Sequence, residues 1–294
     1  MTPRMTALCL LLAVAASAAT ADDTLKKVGD SGRITVAYRE SSIPFSYIAA
    51  AGKPVGFSVD LTNAIVDEVK RRTGKPALEV QLVSVTSQNR IPLLMNGTID
   101  LECGSTTNNS TRGKEVAFAI NHFYTGTRLL VKKSSHIANY ANLAGKSVAS
   151  TTGTTNAQVI RKYSADNGLN MQLSLAKDHA DAMLLVDAER AVAFAMDDIL
   201  LFGLMATAKN PDEWEVVGDS LQVEPYACML RRDDPRFKEL VDGVIAGMMK
   251  SGEFERLYTR WFMSPIPPNN INLRLPMAQQ LRDNLKNLSD KPAL

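Results

Sequence analysis

The sequence predicts an α/β protein of two lobes, and three observations carry that expectation. Short apolar strands alternate with amphipathic helices in the order β-α-β-α-β between residues 33 and 103, which builds a sheet with helices on both faces. The alternation recurs between residues 147 and 217. The chain has 294 residues, a length that suits two domains of ordinary size.

The first 21 residues read as a secretory signal peptide rather than as fold. Arg4 supplies a weak basic start, and residues 7–16 form an apolar stretch too short to span a bilayer. Ala16-Ser17-Ala18 and Ala19-Thr20-Ala21 follow as Ala-x-Ala cleavage options. Cys9 lies inside the apolar stretch and is followed by Leu10, which argues against a lipid anchor. A buried N-terminal helix is the alternative. No other stretch approaches a membrane span, so the mature protein is expected to be soluble and exported.

Removal of the signal takes Cys9 and leaves Cys103 and Cys228. Two thiols in an exported protein suggest one disulfide, Cys103–Cys228, with two buried free cysteines as the alternative. Charge excludes some partners. The chain holds 33 Lys and Arg against 31 Asp and Glu, and loss of Arg4 leaves +1. Such a balance gives no argument for nucleic acid or an anionic membrane surface.

Residues 24–31 read as a short helix, and residues 33–38, bounded by Ser31-Gly32, as a strand. Arg39 stands at its carboxyl end, a ligand position or a surface arginine paired with Glu40. Gly56 opens a helix in which Leu61, Ile65, Val66 and Val69 recur at helical spacing and which Gly74 stops. Residues 80–85 form the next strand. Ser87-Gln88-Asn89-Arg90 then lead into a helix carrying Ile91, Leu93, Leu94 and Met95, ended by Asn96-Gly97. Residues 99–103 are a strand, followed by Gly104-Ser105-Thr106-Thr107-Asn108-Asn109 and by Arg112 just inside the next helix. Ligands bind at the carboxyl ends of strands in such sheets. Hydroxyls and two arginines around one strand end fit an anion site; a polar loop with two surface arginines is the other reading.

Residues 127–133 form a strand preceded by Gly126. Residues 147–150 form another, and Thr151-Thr152-Gly153-Thr154-Thr155-Asn156 turns into a helix reaching about residue 164. A Gly flanked by hydroxyls at a helix start presents backbone N–H groups and the positive end of the dipole, which suits a carboxylate. It is no phosphate loop, because no Gly-Lys-Ser/Thr follows. Thr154 or Thr155 can also serve as the helix cap. A strand over residues 171–175 leads to Lys177-Asp178-His179 and a helix over 181–188. Residues 190–198 form an apolar strand that delivers Asp197 and Asp198 at its end. Asp197 is well placed to meet an ammonium group, and Asp198 to cap a helix over 199–207. A strand over 214–217, a segment over 224–230, helices over 235–250 and 252–262, a Pro-rich break over 265–268 and a polar tail helix over 276–287 complete the chain.

Ile91-Pro92-Leu93-Leu94, Asn96-Gly97, Asp100 and residues 105–112 resemble the first-lobe signature of the periplasmic amino-acid-binding proteins of ABC importers, solute-binding protein family 3. The similarity runs from about residue 25 to about residue 272. Ser87-Gln88-Asn89-Arg90 and residues 102–109 resemble the members that take L-glutamate and L-aspartate. The resemblance implies a type II periplasmic-binding-protein-like fold with two hinge crossings. It places lobe one in residues 22–126 and 225–294, the latter with the tail helix, and lobe two in residues 127–224. Gly126 would absorb a hinge rotation. The resemblance further implies a monomer in the periplasm that delivers its amino acid to membrane permease subunits, with no cofactor and no metal.

The same resemblance supplies a ligand set: Arg39, Ser87, Arg90, Ser105, Thr107 and Arg112 from lobe one, and Thr152, Thr154, Thr155, His179 and Asp197 from lobe two. Arg112 would take the α-carboxylate with the N–H groups near Thr154 and Thr155, and Asp197 with Ser105 the α-ammonium. Arg39, Arg90, Ser87 and His179 would take the distal carboxylate. Three guanidiniums, a His⁺ if His179 is charged, and one carboxylate match two ligand carboxylates and one ammonium, and guanidinium forks bind carboxylates bidentately. Glutamine would leave part of that cluster uncompensated. Glutamate and aspartate differ by one methylene of pocket depth. The alternative is a periplasmic enzyme of cyclohexadienyl-dehydratase type on the same fold, with His179 and Asp197 as acid and base. Nothing places a nucleophile, and three His with two mature Cys show no metal-ligand spacing. A detached receptor sensor is a third reading, without an anchor to support it.

Overall fold

The computed structural model describes residues 23–49 and 52–293. The signal-peptide reading of residues 1–21 falls outside them. Two five-stranded sheets organise the chain. The first has the order Glu79–Ser84, Arg33–Tyr38, Leu101–Glu102, Met229–Arg231, Val116–Phe118. The second has the order Gln172–Ala176, Ser147–Thr151, Ala193–Asp197, Thr127–Lys132, Trp214–Val217. In each, three neighbouring strands run parallel and the two that follow in this order pair antiparallel. The carboxyl ends of the parallel strands face the space between the sheets, and that geometry positions the site.

Helices cover the sheets where the sequence periodicity calls for them. The helix Phe57–Thr73 buries Leu61, Ile65, Val66 and Val69 along one stripe and ends at Gly74 with φ of 65°. That left-handed conformation is the one glycine adopts without penalty. The helix Thr155–Asp166 is capped by Thr154, whose hydroxyl accepts the Ala157 N–H at 3.2 Å. The helix His179–Asp187 starts two residues earlier than the sequence suggests, because the Asp178 carboxylate accepts the His179 N–H at 2.9 Å. Asp197, rather than Asp198, occupies the cap position of the helix Asp198–Thr207. Asp198 still serves that end, accepting the Ile199 N–H at 2.7 Å.

Two expectations are corrected in extent. The strand expected over residues 99–103 shrinks to Leu101–Glu102. The Asp100 N–H still donates to Thr35 O at 2.7 Å, but its carboxylate takes the Thr35 N–H and pairs with Lys27 and Arg231, so a side chain stands in for one backbone acceptor there. The last lobe-one helix runs Glu253–Tyr258 and widens into a π turn over Thr259–Met263.

The chain passes between the sheets twice, through the antiparallel pair Phe123–Thr125 and Glu224–Tyr226. Both crossing strands root in an aromatic cluster of the first lobe. Phe45 packs edge-on against Phe123 at 4.9 Å and Tyr226 at 5.2 Å, and Phe123 stacks on Phe262 at 5.1 Å. Edge-to-face pairs of this kind add to the burial of large rings. The tail helix Gln279–Asn287 buries Leu281 and Asn284, and Asn284 Nδ2 donates to Asn121 O at 2.7 Å. Beyond it, Asn108 Nδ2 donates to Asp290 O, Asn121 Nδ2 to Lys291 O, and Ala293 N to Asn108 O. At the other end, Thr24 N donates to Asp234 Oδ2 at 2.7 Å. Both ends of the described residues are therefore fastened to the first lobe.

Cys103 and Cys228 form a disulfide across 125 residues of sequence. The loop it closes contains the entire second sheet. In the chain-entropy account such a loop contributes roughly 4–5 kcal/mol, and measured values fall lower. Replacing both cysteines by alanine is expected to lower unfolding stability by about 2–4 kcal/mol in urea titration, with the fold retained.

Candidate functional site

The two lobes are closed on each other. Arg39 Nη2 reaches Asp178 Oδ1 across the cleft at 2.5 Å, and Arg112 Nη2 donates to Gly153 O at 3.1 Å. The Thr107 and Thr155 hydroxyl oxygens stand 3.3 Å apart, and Tyr226 Oη donates to Asp197 Oδ2 at 2.5 Å. Gly153, with φ of 78°, lies against the second lobe's partner so closely that a Cβ would sit 2.6 Å from Gln88 Cα. Between these contacts lies a small cavity, about 190 Å³ of space between atoms.

Nine of the eleven sequence-predicted residues line it: Ser87, Arg90, Ser105, Thr107, Arg112, Thr154, Thr155, His179 and Asp197. Arg39 stands one layer back. Its Nη1 donates to Ser87 Oγ at 3.0 Å, and its Nη2 lies 3.3 Å from His179 Nε2. Thr152 does not reach the cavity, because its N–H and hydroxyl both go to Ala176 O at 2.9 Å. Asn156 and Met196 line the wall and were not singled out in the sequence. Asn156 sits in the first helical turn after Thr154, and Met196 directly precedes Asp197; those adjacencies were the available signals.

Arg90 is the first residue of the helix Arg90–Met95 and is sealed from solvent. Its Nε and Nη1 have no hydrogen-bond partner, and the Glu102 carboxylate approaches Nη1 only to 4.0 Å. Burial, with Arg112 and Arg39 nearby, lowers its pKa to about 9. On the opposite wall, Asp197 Oδ1 is buried and unpartnered. Burial and the neighbouring Glu224 push the Asp197 pKa well up. One cavity thus holds an unsatisfied guanidinium and an unsatisfied carboxyl. A buried polar group without a partner is destabilising, and both are relieved by a ligand with a negative and a positive end.

His179 is held neutral, so of the two charge states left open in the sequence the pocket favours the uncharged ring. Burial and the Arg39 guanidinium lower its pKa to about 3. Arg39 donates toward Nε2, which leaves Nδ1–H to donate to Thr151 Oγ1 at 2.9 Å. Both ring nitrogens are occupied, so the ring is poorly placed to act as acid or base. Sequence reading also missed three acids that balance the arginines: Asp178 on Arg39, Glu102 beside Arg90, and Glu224 behind Thr107 and Thr155. Among the described residues no group of His, Cys, Asp and Glu is arranged to hold a metal ion.

Comparison with known proteins adds the family. The model of bacterial extracellular solute-binding proteins, family 3, matches residues 34–264. The chain is 48% identical over 289 residues to the glutamate/aspartate import solute-binding protein of Escherichia coli strain K12, covering 96% of each chain. It is 43% identical over 295 residues to the L-glutamate/L-aspartate-binding protein of Pseudomonas aeruginosa, covering 99% of this chain and 98% of the relative. Among solved structures it is similar to the P235GK mutant of an arginine-binding protein from T. maritima. That match has a TM-score of 0.72 and 28% identity, over 81% of this chain and 98% of that one.

The neutral, buried His179 makes stability depend on pH. Its folded pKa lies below the unfolded value of 6.5, so the unfolded chain binds more protons and stability falls as pH drops below about 6.5. Between pH 7 and pH 5 this group alone is expected to remove about 2 kcal/mol. Urea unfolding of the parent and of His179→Gln at both pH values should show that share of the pH dependence missing in the variant.

Proposed function

The chain belongs to family 3 of the bacterial extracellular solute-binding proteins, and from that premise we propose that it captures L-glutamate or L-aspartate between its lobes. It works in the periplasm, exported by a signal peptide over residues 1–21. It delivers the amino acid to the membrane permease of an ABC importer. The observation that carries this reading is the cavity's pair of unmet groups, the Arg90 guanidinium and Asp197 Oδ1. A dicarboxylic amino acid brings a carboxylate to the first and an ammonium to the second. The names of the relatives from Escherichia coli and Pseudomonas aeruginosa support the same ligand class. Those relatives are import and binding proteins rather than enzymes.

In this reading the distal carboxylate meets Arg90 and Ser87, with Arg39 and His179 holding Ser87 and the wall behind it. The α-carboxylate meets Arg112 and the first-turn amides at Thr154 and Thr155. The α-ammonium meets Asp197 and Ser105. Thr107 belongs to the same head-group wall. The lobes, residues 22–126 with 225–294 and residues 127–224, move as units. Ligand shifts them toward the closed arrangement by contacting both. Incubating the purified protein with labelled glutamate and, separately, labelled aspartate and recovering either unchanged in stoichiometric amount supports the reading; turnover, or retention of neither, refutes it.

Two variants divide the pocket. Arg90→Met is expected to weaken glutamate by about 2–5 kcal/mol and glutamine far less, because glutamine lacks the second carboxylate. Arg112→Met should weaken both together. Calorimetric glutamate-to-glutamine ratios check this, and a ratio unmoved by Arg90→Met contradicts the assignment. Gly153→Ala places a Cβ against the Gln88 backbone. With saturating glutamate the parent should contract in small-angle scattering, whereas this variant should stay near its ligand-free radius of gyration.

A further inference from the structure

The crossing strand Glu224–Tyr226 places two side chains behind the head-group wall. Residues two apart on a strand project to the same side, and Glu224 and Tyr226 both turn toward the cleft. Backbone pairing holds this strand there: Asn108 N donates to Pro225 O and Ala227 N to Thr106 O. Glu224 Oε2 accepts the Thr107 hydroxyl at 2.6 Å and the Thr155 hydroxyl at 2.7 Å. Gln222 Nε2 holds its other oxygen at 2.9 Å. Glu224 does not line the cavity; Thr107 and Thr155 stand between.

A hydroxyl has one proton to give and two lone pairs to receive. Both threonines, one from each lobe, spend that proton on the same carboxylate oxygen. Toward the cavity they can only accept. Tyr226 Oη does the complementary thing at Asp197: it donates to Oδ2 and leaves Oδ1 as a bare acceptor. Three oxygens bordering the head-group space are thereby acceptors.

We propose that Glu224 and Tyr226 are positioning residues that fix these three oxygens as acceptors, so that the crossing strand selects an α-ammonium over an α-substituent that needs a donor there. An ammonium is a pure donor and has no acceptor capacity. A hydroxy acid of the same skeleton brings one donor and two lone pairs, and those lone pairs find no donor at these three oxygens. Discrimination between amine and hydroxyl follows from hydroxyl polarity as well as from the Asp197 charge. The selectivity is built where the two lobes join, so closure and head-group recognition use the same strand.

This inference rests on the acidic amino acid reading, and the test separates the two. Calorimetry with the parent compares L-glutamate with L-2-hydroxyglutarate, which differs only at the α-substituent. No glutamate binding by the parent refutes the ligand reading itself. Given binding, Glu224→Gln introduces an amide donor against the two threonines and frees them to donate inward. The glutamate-to-hydroxyglutarate affinity ratio is expected to fall at least tenfold. Tyr226→Phe, which removes the hydrogen bond that favours the ionised Asp197, should lower the same ratio by a smaller factor. A purely structural role would weaken both ligands in proportion and leave the ratio in place, and that result overturns the proposal. Thr155→Val serves if Glu224→Gln does not fold. It removes one acceptor and should again weaken glutamate more than the hydroxy acid; equal losses count against the proposal.

Discussion

A guanidinium shut away from water with two of its nitrogens unpartnered is the constraint around which this molecule is arranged. Burying such a group is expensive unless hydrogen bonds replace its hydration. Glu102, at 4.0 Å from Arg90, offers charge but no hydrogen bond. Closure of the lobes completes the seal, and so the closed form carries an unmet demand that a suitable anion would satisfy. Contacts elsewhere hold the lobes together. These are Arg39 on Asp178, Arg112 on the Gly153 carbonyl, and Tyr226 on Asp197. Each joins one lobe to the other at the cleft, and two of the residues involved, Arg112 and Asp197, also line the cavity.

The aromatic cluster decides which side of the hinge is fixed. Phe123 and Tyr226, one from each crossing strand, are embedded with Phe45 and Phe262 in the first lobe. Large rings packed edge to face resist independent motion. The other end of the crossings is packed differently. There Gly126 leads into the second sheet, and a Cβ would collide with Ser220 and the Gln222 carbonyl. The disulfide reinforces the same asymmetry, since both its cysteines lie on the first lobe.

Much of this was legible in the sequence, for identifiable reasons. Strands and helices declared themselves where a buried stripe was long, as in Leu61, Ile65, Val66 and Val69. The strand around Leu101 was overextended because nothing local shows that the Asp100 carboxylate replaces a ladder bond with the Thr35 amide. At the site, Arg90, Arg112 and Asp197 were found through their motifs. Thr152 looked equivalent to Thr154 and Thr155, yet a turn of two residues sends its hydroxyl to Ala176 instead. Glu224 and Asp178 were missed because their partners are distant in sequence. Asp178 meets Arg39 across 139 positions, and Glu224 meets Thr107 across 117. No short-range pattern encodes such pairs.

The fastening of Thr24 and of residues 290–293 to one lobe bears on the use of this scaffold as an optical sensor. Thr24 is tied to Asp234, and the stretch from Asp290 to Ala293 is strapped onto Asn108 and Asn121. Fluorescent proteins joined directly before Thr24 and after Ala293 would ride on the same rigid body, and their separation would hardly register the cleft. A responsive donor–acceptor pair needs one dye on the second lobe. Leu184, 61% exposed on the helix His179–Asp187, offers an attachment point that carries no hinge or cavity contact.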